Sequence, residues 1–145
     1  MTTTVITFGT WDLMHVGHVR ILRHAKNVLP NQHTRLVVGV SSDALNVKKK
    51  NRIPVFSQED RMEIVSSIKY VDSVFLEESL EEKANYVKAN KANILVMGDD
   101  WKGRFDWVAE EVPGLQVVYL PRTPNISTTA IINNLSHQPY PASLA

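Results

Sequence analysis

Residues 8 to 18 run Phe8-Gly9-Thr10-Trp11-Asp12-Leu13-Met14-His15-Val16-Gly17-His18, and the two histidines stand three apart. They follow a short apolar run, TTVITF, and precede a stretch with helical periodicity. If that helix starts near His15 or Val16, both side chains share its first turn and one face. Such an end carries partial positive charge and free N–H groups, so it attracts anions and disfavours imidazolium. Two neutral, hydrogen-bond-donating imidazoles beside a phosphate are one coherent reading. Gly17 between them would let a nucleotide approach the backbone closely. Two other readings stand beside it: metal ligation, or plain packing at a helix start. A metal site needs three or four ligands. The chain has no cysteine, and His24, His33 and His137 have no matching spacing, which weakens the metal reading.

Three further clusters carry polar chemistry. In RTPNISTT, residues 122–129, Ser127, Thr128 and Thr129 offer hydroxyls and amides at the start of a final helix, with Arg122 alongside. That is a natural phosphate cradle, although Ser and Thr also begin many helices as ordinary caps. In NVKKKNR, residues 46–52, a basic run lies in what reads as a long loop, and Lys49 and Lys48 would reach furthest as a cationic lid over a polyphosphate. Basic runs are more often solvated surface. In MGDDWKGRFDW, residues 97–107, two acids and a tryptophan suit a ribose, a base or a metal-bound phosphate, against a simple surface turn. Neither a dinucleotide-binding glycine fingerprint nor a P-loop follows any predicted strand.

The elements that must position these residues are legible from hydrophobic patterning. Residues 4–8, 35–41, 93–98 and 115–120 are short, continuous and β-branched, as strands covered on both faces are, and 72–77 is a weaker fifth. Between them lie amphipathic stretches. One runs from Val16 to Leu29, one opens at Ser57 with Asp60 three residues on, and one opens at Ser79 with Glu82 in the capping-box position. A last short helix follows NISTT. This alternation predicts an α/β fold, a single Rossmann-like domain with a five-stranded parallel sheet and helices on both faces. The domain is expected to span residues 1–136, with 137–145 as a flexible tail carrying two prolines. Ligands of open parallel sheets bind beyond the carboxyl ends of the strands. Gly9-Thr10-Trp11-Asp12, Ser42-Asp43, Asp99-Asp100-Trp101 and Arg122-Thr123 all fall on that edge.

Composition narrows the class. A chain of 145 residues with 43% hydrophobic and 21% charged residues has ordinary globular values, and a net charge of +1 argues against non-specific nucleic-acid binding. The absence of cysteine excludes disulfides and zinc-thiolate sites. The first residues lack a charged region followed by a long apolar one, and no apolar run approaches a membrane span, so the expectation is a soluble cytoplasmic domain.

GTWDLMHVGH resembles the G-T-F-D-x-x-H-x-G-H signature of the nucleotidyltransferase superfamily, and RTPNISTT resembles its R-T-x-G-I-S-T-T signature. KYVD (69–72), VMGDDWKGRFDW and VVYLPRT are similar to segments of the glycerol-3-phosphate cytidylyltransferase group within it. The resemblance runs over about residues 4–135. It implies CTP and a small alcohol phosphate as substrates, glycerol 3-phosphate in that group, with CDP-glycerol and pyrophosphate as products. Mg²⁺ would be bound through the triphosphate with no protein ligand assigned. The resemblance also implies a homodimer and a product used in wall or capsule polymers. By the same resemblance His15, His18 and Lys49 are catalytic. Phe8, Gly9, Thr10, Gly17, Asp100, Arg122, Thr123, Ile126, Ser127 and Thr128 bind nucleotide, and Lys69, Asp72 and Arg61 bind acceptor or form an interface. Another alcohol phosphate, such as phosphoethanolamine or a sugar phosphate, would use the same machinery, and a non-catalytic CTP-binding protein would share the fold. Three positions depart from the signatures, and Pro124 takes the open position of the second. Lys69 replaces arginine and is not its equivalent in bidentate contacts. Asn125 replaces glycine, which is tolerable in the left-handed region. Pro124 removes an N–H, and Trp11 in place of phenylalanine reads as a change of size.

Overall fold

The structure is a computed structural model that describes residues 2–137. Five strands, β1 (Thr3–Gly9), β2 (Thr34–Ser41), β3 (Ser73–Glu77), β4 (Ile94–Gly98) and β5 (Gln116–Leu120), form one sheet in the order β3-β2-β1-β4-β5. Every neighbouring pair is parallel. All five predicted strands are present, with ends shifted by a residue or so. The expected parallel α/β architecture is therefore the observed one.

Among the described residues six α-helices accompany the sheet, α1 (Val16–Lys26), α2 (Asp43–Lys50), α3 (Gln58–Ser66), α4 (Lys83–Ala89), α5 (Asp106–Glu111) and α6 (Thr128–His137), with a 3-10 turn at Asp99–Trp101. Alternate residues of each central strand point to opposite faces, which divides the core in two. On one face Val5, Leu36, Val38, Ile94 and Val96 pack with Leu22 and Ala25 of α1 and Val65 of α3. On the other, Ile6, Val37, Leu95 and Met97 pack with Ala84 and Val87 of α4 and Val108 of α5. Burial of the central strands on both faces is what their continuous apolar runs require.

Two helical expectations change. The basic run at 46–52 is not a loop: residues 43–50 form α2, with Ser42 as N-cap accepting from Leu45 N at 3.0 Å and Asn51 closing the helix in the left-handed region at φ 55°. Lys48, Lys49 and Lys50 lie in its last turn, where cations complement the helix dipole. That favourable placement is the physical reason a lysine run can end a helix. The helix expected from Ser79 begins at Lys83 instead. The Ser79 hydroxyl donates to Glu81 at 2.8 Å, and Glu82 occupies the N-cap position without a side-chain cap. The Ser57 cap is as expected, accepting from Asp60 N at 3.2 Å. The first helix ends at Lys26 rather than Leu29, with Asn27 as its C-cap. Of the expected tail, His137 closes α6 and residues 138–145 lie outside the described residues. Among the described residues no helix is long and apolar enough to cross a membrane.

Candidate active site at the carboxyl edge of the sheet

The strand order reverses between β1 and β4, and beyond their carboxyl ends opens a cavity of about 360 Å³. Its walls come from residues 8–12 at and beyond the end of β1, Met97, Gly98, Asp100 and Trp101 at and beyond the end of β4, and residues 121–123 and 126–129 after β5. His15, Gly17, His18, Ile21, Asn46, Lys50 and Arg52 complete it. The nucleotide-binding candidates implied by the resemblance, Phe8, Gly9, Thr10, Gly17, Asp100, Arg122, Thr123, Ile126, Ser127 and Thr128, all line this one cavity.

His15 is the N-cap of α1. Its Nδ1 accepts from Gly17 N at 3.0 Å and from His18 N at 3.4 Å, while His18 Nδ1 accepts from His15 N at 3.3 Å. The two rings stack with centroids 3.7 Å apart. A ring whose Nδ1 accepts a backbone N–H must carry its proton on Nε2, so both histidines are fixed as Nε2–H tautomers. Burial, then the positive field of Arg122, lowers the His15 pKa. Burial first, then His15 and Lys50, lowers that of His18 to about 3. Both rings are therefore neutral donors near neutral pH. Gly17, which lines the cavity, also has a structural part. A side chain there would stand 2.9 Å from His15 Cε1, so its bareness makes room for the capping ring.

Asp12 and Arg61 bind the surrounding loops together. The buried Asp12 carboxylate accepts from Val55 N at 2.6 Å and Phe56 N at 3.0 Å. Arg61, with no exposed surface, donates to the carbonyls of Thr10 (2.7 Å), Ser41 (2.8 Å) and Phe56 (3.0 Å) and to Asp43 (2.7 Å). Thr128 donates to the Asp12 carbonyl at 2.7 Å, which fixes the start of α6 against the same loop. Ser127 caps α6 by accepting from Ala130 N at 3.0 Å. Asn125 sits at φ 61°, the left-handed conformation that its replacement of glycine called for.

Beside the main cavity lies a smaller one of about 130 Å³, sharing Phe8, Gly9, Thr10, Lys50, Met97 and Trp101 with it. Lys49 and Lys83 line this smaller space. Lys49 Nζ donates to Ser41 Oγ at 2.6 Å, and burial lowers its pKa to about 8 against the opposing pull of Glu77. Lys83 pairs with Glu77 at 2.8 Å, both side chains 1% exposed, and its ammonium lies 3.7 Å from the centre of the Phe8 ring. Burial lowers its pKa too, while Glu77 works the other way.

The three acceptor or interface candidates do not line either cavity. Arg61 is engaged by backbone carbonyls and Asp43, which makes it a holder of loops rather than a ligand contact. Asp72 precedes β3 at the opposite sheet edge, accepting from Lys26 at 2.6 Å and Leu36 N at 2.7 Å. Lys69 is exposed and lies over Tyr70 at 5.1 Å. Lys48, grouped with Lys49 as a lid, is exposed and lines neither space. Asn46, Lys50, Arg52 and Lys83 were absent from the expected site. Asn46, Lys49 and Lys50 are spaced i, i+3, i+4, a shared face that becomes visible once residues 43–50 are read as a helix. A buried lysine such as Lys83 leaves no comparable signal.

Comparison with known proteins decides the family. Residues 6–134 match the family described as cytidylyltransferase-like. The chain belongs to that family. Among its relatives, the glycerol-3-phosphate cytidylyltransferase of Bacillus subtilis is 42% identical over 127 residues, covering 88% of this chain and 92% of that one. The Staphylococcus aureus enzyme of the same name is 37% identical over 131 residues, covering 90% and 93%. A lipopolysaccharide core biosynthesis protein from Thermoplasma volcanium shares the fold, with a TM-score of 0.71 at 23% identity over 83% of this chain and 98% of that one. Membership fits a cavity lined by anion-binding groups at the strand-order reversal.

Removing Arg61 leaves three carbonyls and Asp43 without their shared cation. Arg61→Met should therefore lower unfolding stability by about 3–5 kcal/mol. Urea denaturation measures this, and a loss below about 1 kcal/mol would contradict the bracing role.

Proposed function

We propose that this protein is a glycerol-3-phosphate cytidylyltransferase, joining CTP and glycerol 3-phosphate to give CDP-glycerol and pyrophosphate. The observation that carries the reading is a pair of adjoining cavities of unequal size. The larger has two neutral histidine donors and a Ser-Thr helix start, and the smaller is lined by Lys49, Lys50 and Lys83. A triphosphate nucleotide suits the first and a small phosphate monoester the second. The names of the Bacillus and Staphylococcus relatives, which align over most of their length, supply the substrate pair.

The chemistry follows from charge. A phosphate monoester has its second pKa near about 6, so its attacking oxygen is already ionised at neutral pH and needs no general base. That oxygen forms a bond to the α-phosphorus of CTP as the bond to the bridging oxygen breaks, and pyrophosphate leaves with the electron pair. The barrier lies in bringing two polyanions together and in holding charge on the phosphoryl oxygens and the leaving group. His15 and His18 serve as Nε2–H donors to those oxygens. Neutral imidazoles suit this better than imidazolium, because the Nδ1 atoms are already committed to the helix start. Lys50 lines both cavities and lies between nucleotide and acceptor phosphates; Lys49 and Lys83 hold the acceptor dianion. Arg122, Ser127 and Thr128 hold the nucleotide.

Among the described residues no group of three His, Cys, Asp or Glu side chains could cage a metal. A cation carried by the triphosphate fits such a donor set, since Mg²⁺ is commonly held by substrate phosphates plus one or two carboxylates. Of the two carboxylates in the cavity, Asp12 is committed to Val55 and Phe56, which leaves Asp100 for the ion. Mg²⁺ bound there would offset charge on the triphosphate.

Pyrophosphate release with Mg²⁺ across a panel of nucleoside triphosphates and alcohol phosphates tests the reading. CTP with glycerol 3-phosphate should be the preferred pair, and His18→Ala should fold but turn over on the order of 10²–10³-fold more slowly. Preference for phosphoethanolamine, or near-wild-type turnover in the variant, contradicts it. The pH profile gives a second check. As pH rises through about 8, the Lys49 ammonium loses its proton. The KM for glycerol 3-phosphate should then climb while that for CTP holds, and equal changes in both would remove Lys49 from the acceptor site.

A further inference from the structure

Trp11 occupies a position where a bulky residue is out of place. Its φ is 59°, in the left-handed region, and Leu13 two residues on has φ 50°. A large side chain in that region is an outlier that the surroundings must hold in place. Here they do so in a specific way. The indole is 4% exposed and its Nε1–H donates to the Gly39 carbonyl at 3.1 Å, from the loop after β1 to β2. The ring fits over Gly9, where any side chain would come within 2.8 Å of Trp11 Cε2. His18 also lies beside it, edge-on at 5.5 Å between ring centroids.

The imidazole of His18 is thus confined on three sides. Trp11 flanks it, His15 stacks on it at 3.7 Å, and its Nδ1 accepts from the His15 amide. Phenylalanine, the residue in the signature that this stretch resembles, has no N–H and cannot make the bond to Gly39. The substitution is therefore more than a change of size: it adds a hydrogen bond that anchors the ring lying against a donor histidine.

We propose that Trp11 is a positioning residue for the reaction, acting through His18: the indole, anchored on the Gly39 carbonyl, holds the His18 ring so that its Nε2–H stays aimed into the nucleotide cavity. This rests on the cytidylyltransferase reading for its effect on rate, but the contact between the two rings is independent of any activity. A residue that acts on the aim of a donor should change turnover more than ground-state binding, since alignment matters most where charge develops.

The test is Trp11→Phe in the full chain, with Trp11→Leu beside it, read by pyrophosphate release and by NMR titration of His18. We expect Trp11→Phe to lower kcat about tenfold with KM for CTP within about twofold of wild type. The titration of His18, next to His15 and Lys50 on its cavity side, should shift upward in the same variant as the ring loosens. Trp11→Leu should show both effects more strongly. Wild-type kcat together with an unchanged His18 titration overturns the proposal, as does a loss confined to KM. If the variants fail to fold, the wild-type protein still decides. A slowly exchanging Trp11 indole N–H with a cross-relaxation contact to His18 supports the proposal, and a rapidly exchanging one overturns it. A wild-type protein that releases no pyrophosphate would count against the proposed function while leaving the His18 titration as the readout here.

Discussion

Each histidine of the H-x-G-H stretch gives its Nδ1 to a backbone amide at the start of α1, and the site depends on that exchange. A helix start leaves four N–H groups without intrahelical partners, and here side-chain nitrogens rather than the usual hydroxyl or carboxylate oxygens satisfy some of them. The consequence reaches beyond the helix. With Nδ1 occupied, each ring keeps its proton on Nε2 and cannot become imidazolium without breaking a cap. Burial and nearby cations push in the same direction. One arrangement therefore begins a helix, chooses a tautomer and keeps two donors neutral beside a site for anions.

A second constraint holds the frame around those donors. Loops that leave β1 and β2 and the segment before α3 converge on a single buried guanidinium, and Asp12 clasps the last of these from the other side. Arg61 satisfies carbonyls that would otherwise be buried without partners, at the carboxyl edge where strands have stopped pairing. The Lys83–Glu77 pair does related work next door, holding a charge inside the core only because a carboxylate and two aromatic faces surround it. Among the described residues the buried charged side chains are Asp12, Arg61, Glu77 and Lys83, and each is held by a hydrogen-bond or ion-pair partner.

Much of this was legible in the residue order. Continuous β-branched runs located all five strands, because burial on both faces demands them, and the placement of polar clusters after strands located the cavity. His15, His18, Arg122 and the Ser-Thr helix start, singled out by spacing and position, line that cavity. Local propensity misled where tertiary context prevailed. The Lys48-Lys49-Lys50 run looked like a solvated loop, yet a cap at Ser42 and a dipole-favoured last turn make it helical and turn Lys49 inward. Arg61 was legible as important but not as buried, because its partners are carbonyls from distant segments. Trp11 looked like a packing variant, since nothing local announces a bond to Gly39, 28 residues away.

Isotope-edited NMR of the histidine rings tests the central claim most directly. In protein carrying ¹⁵N-histidine, His15 and His18 should each show an unprotonated Nδ1 and a protonated Nε2 at neutral pH, and His18 should keep that form down to pH 5. An Nδ1–H tautomer in either ring, or a His18 imidazolium forming between pH 5 and 8, would contradict the account.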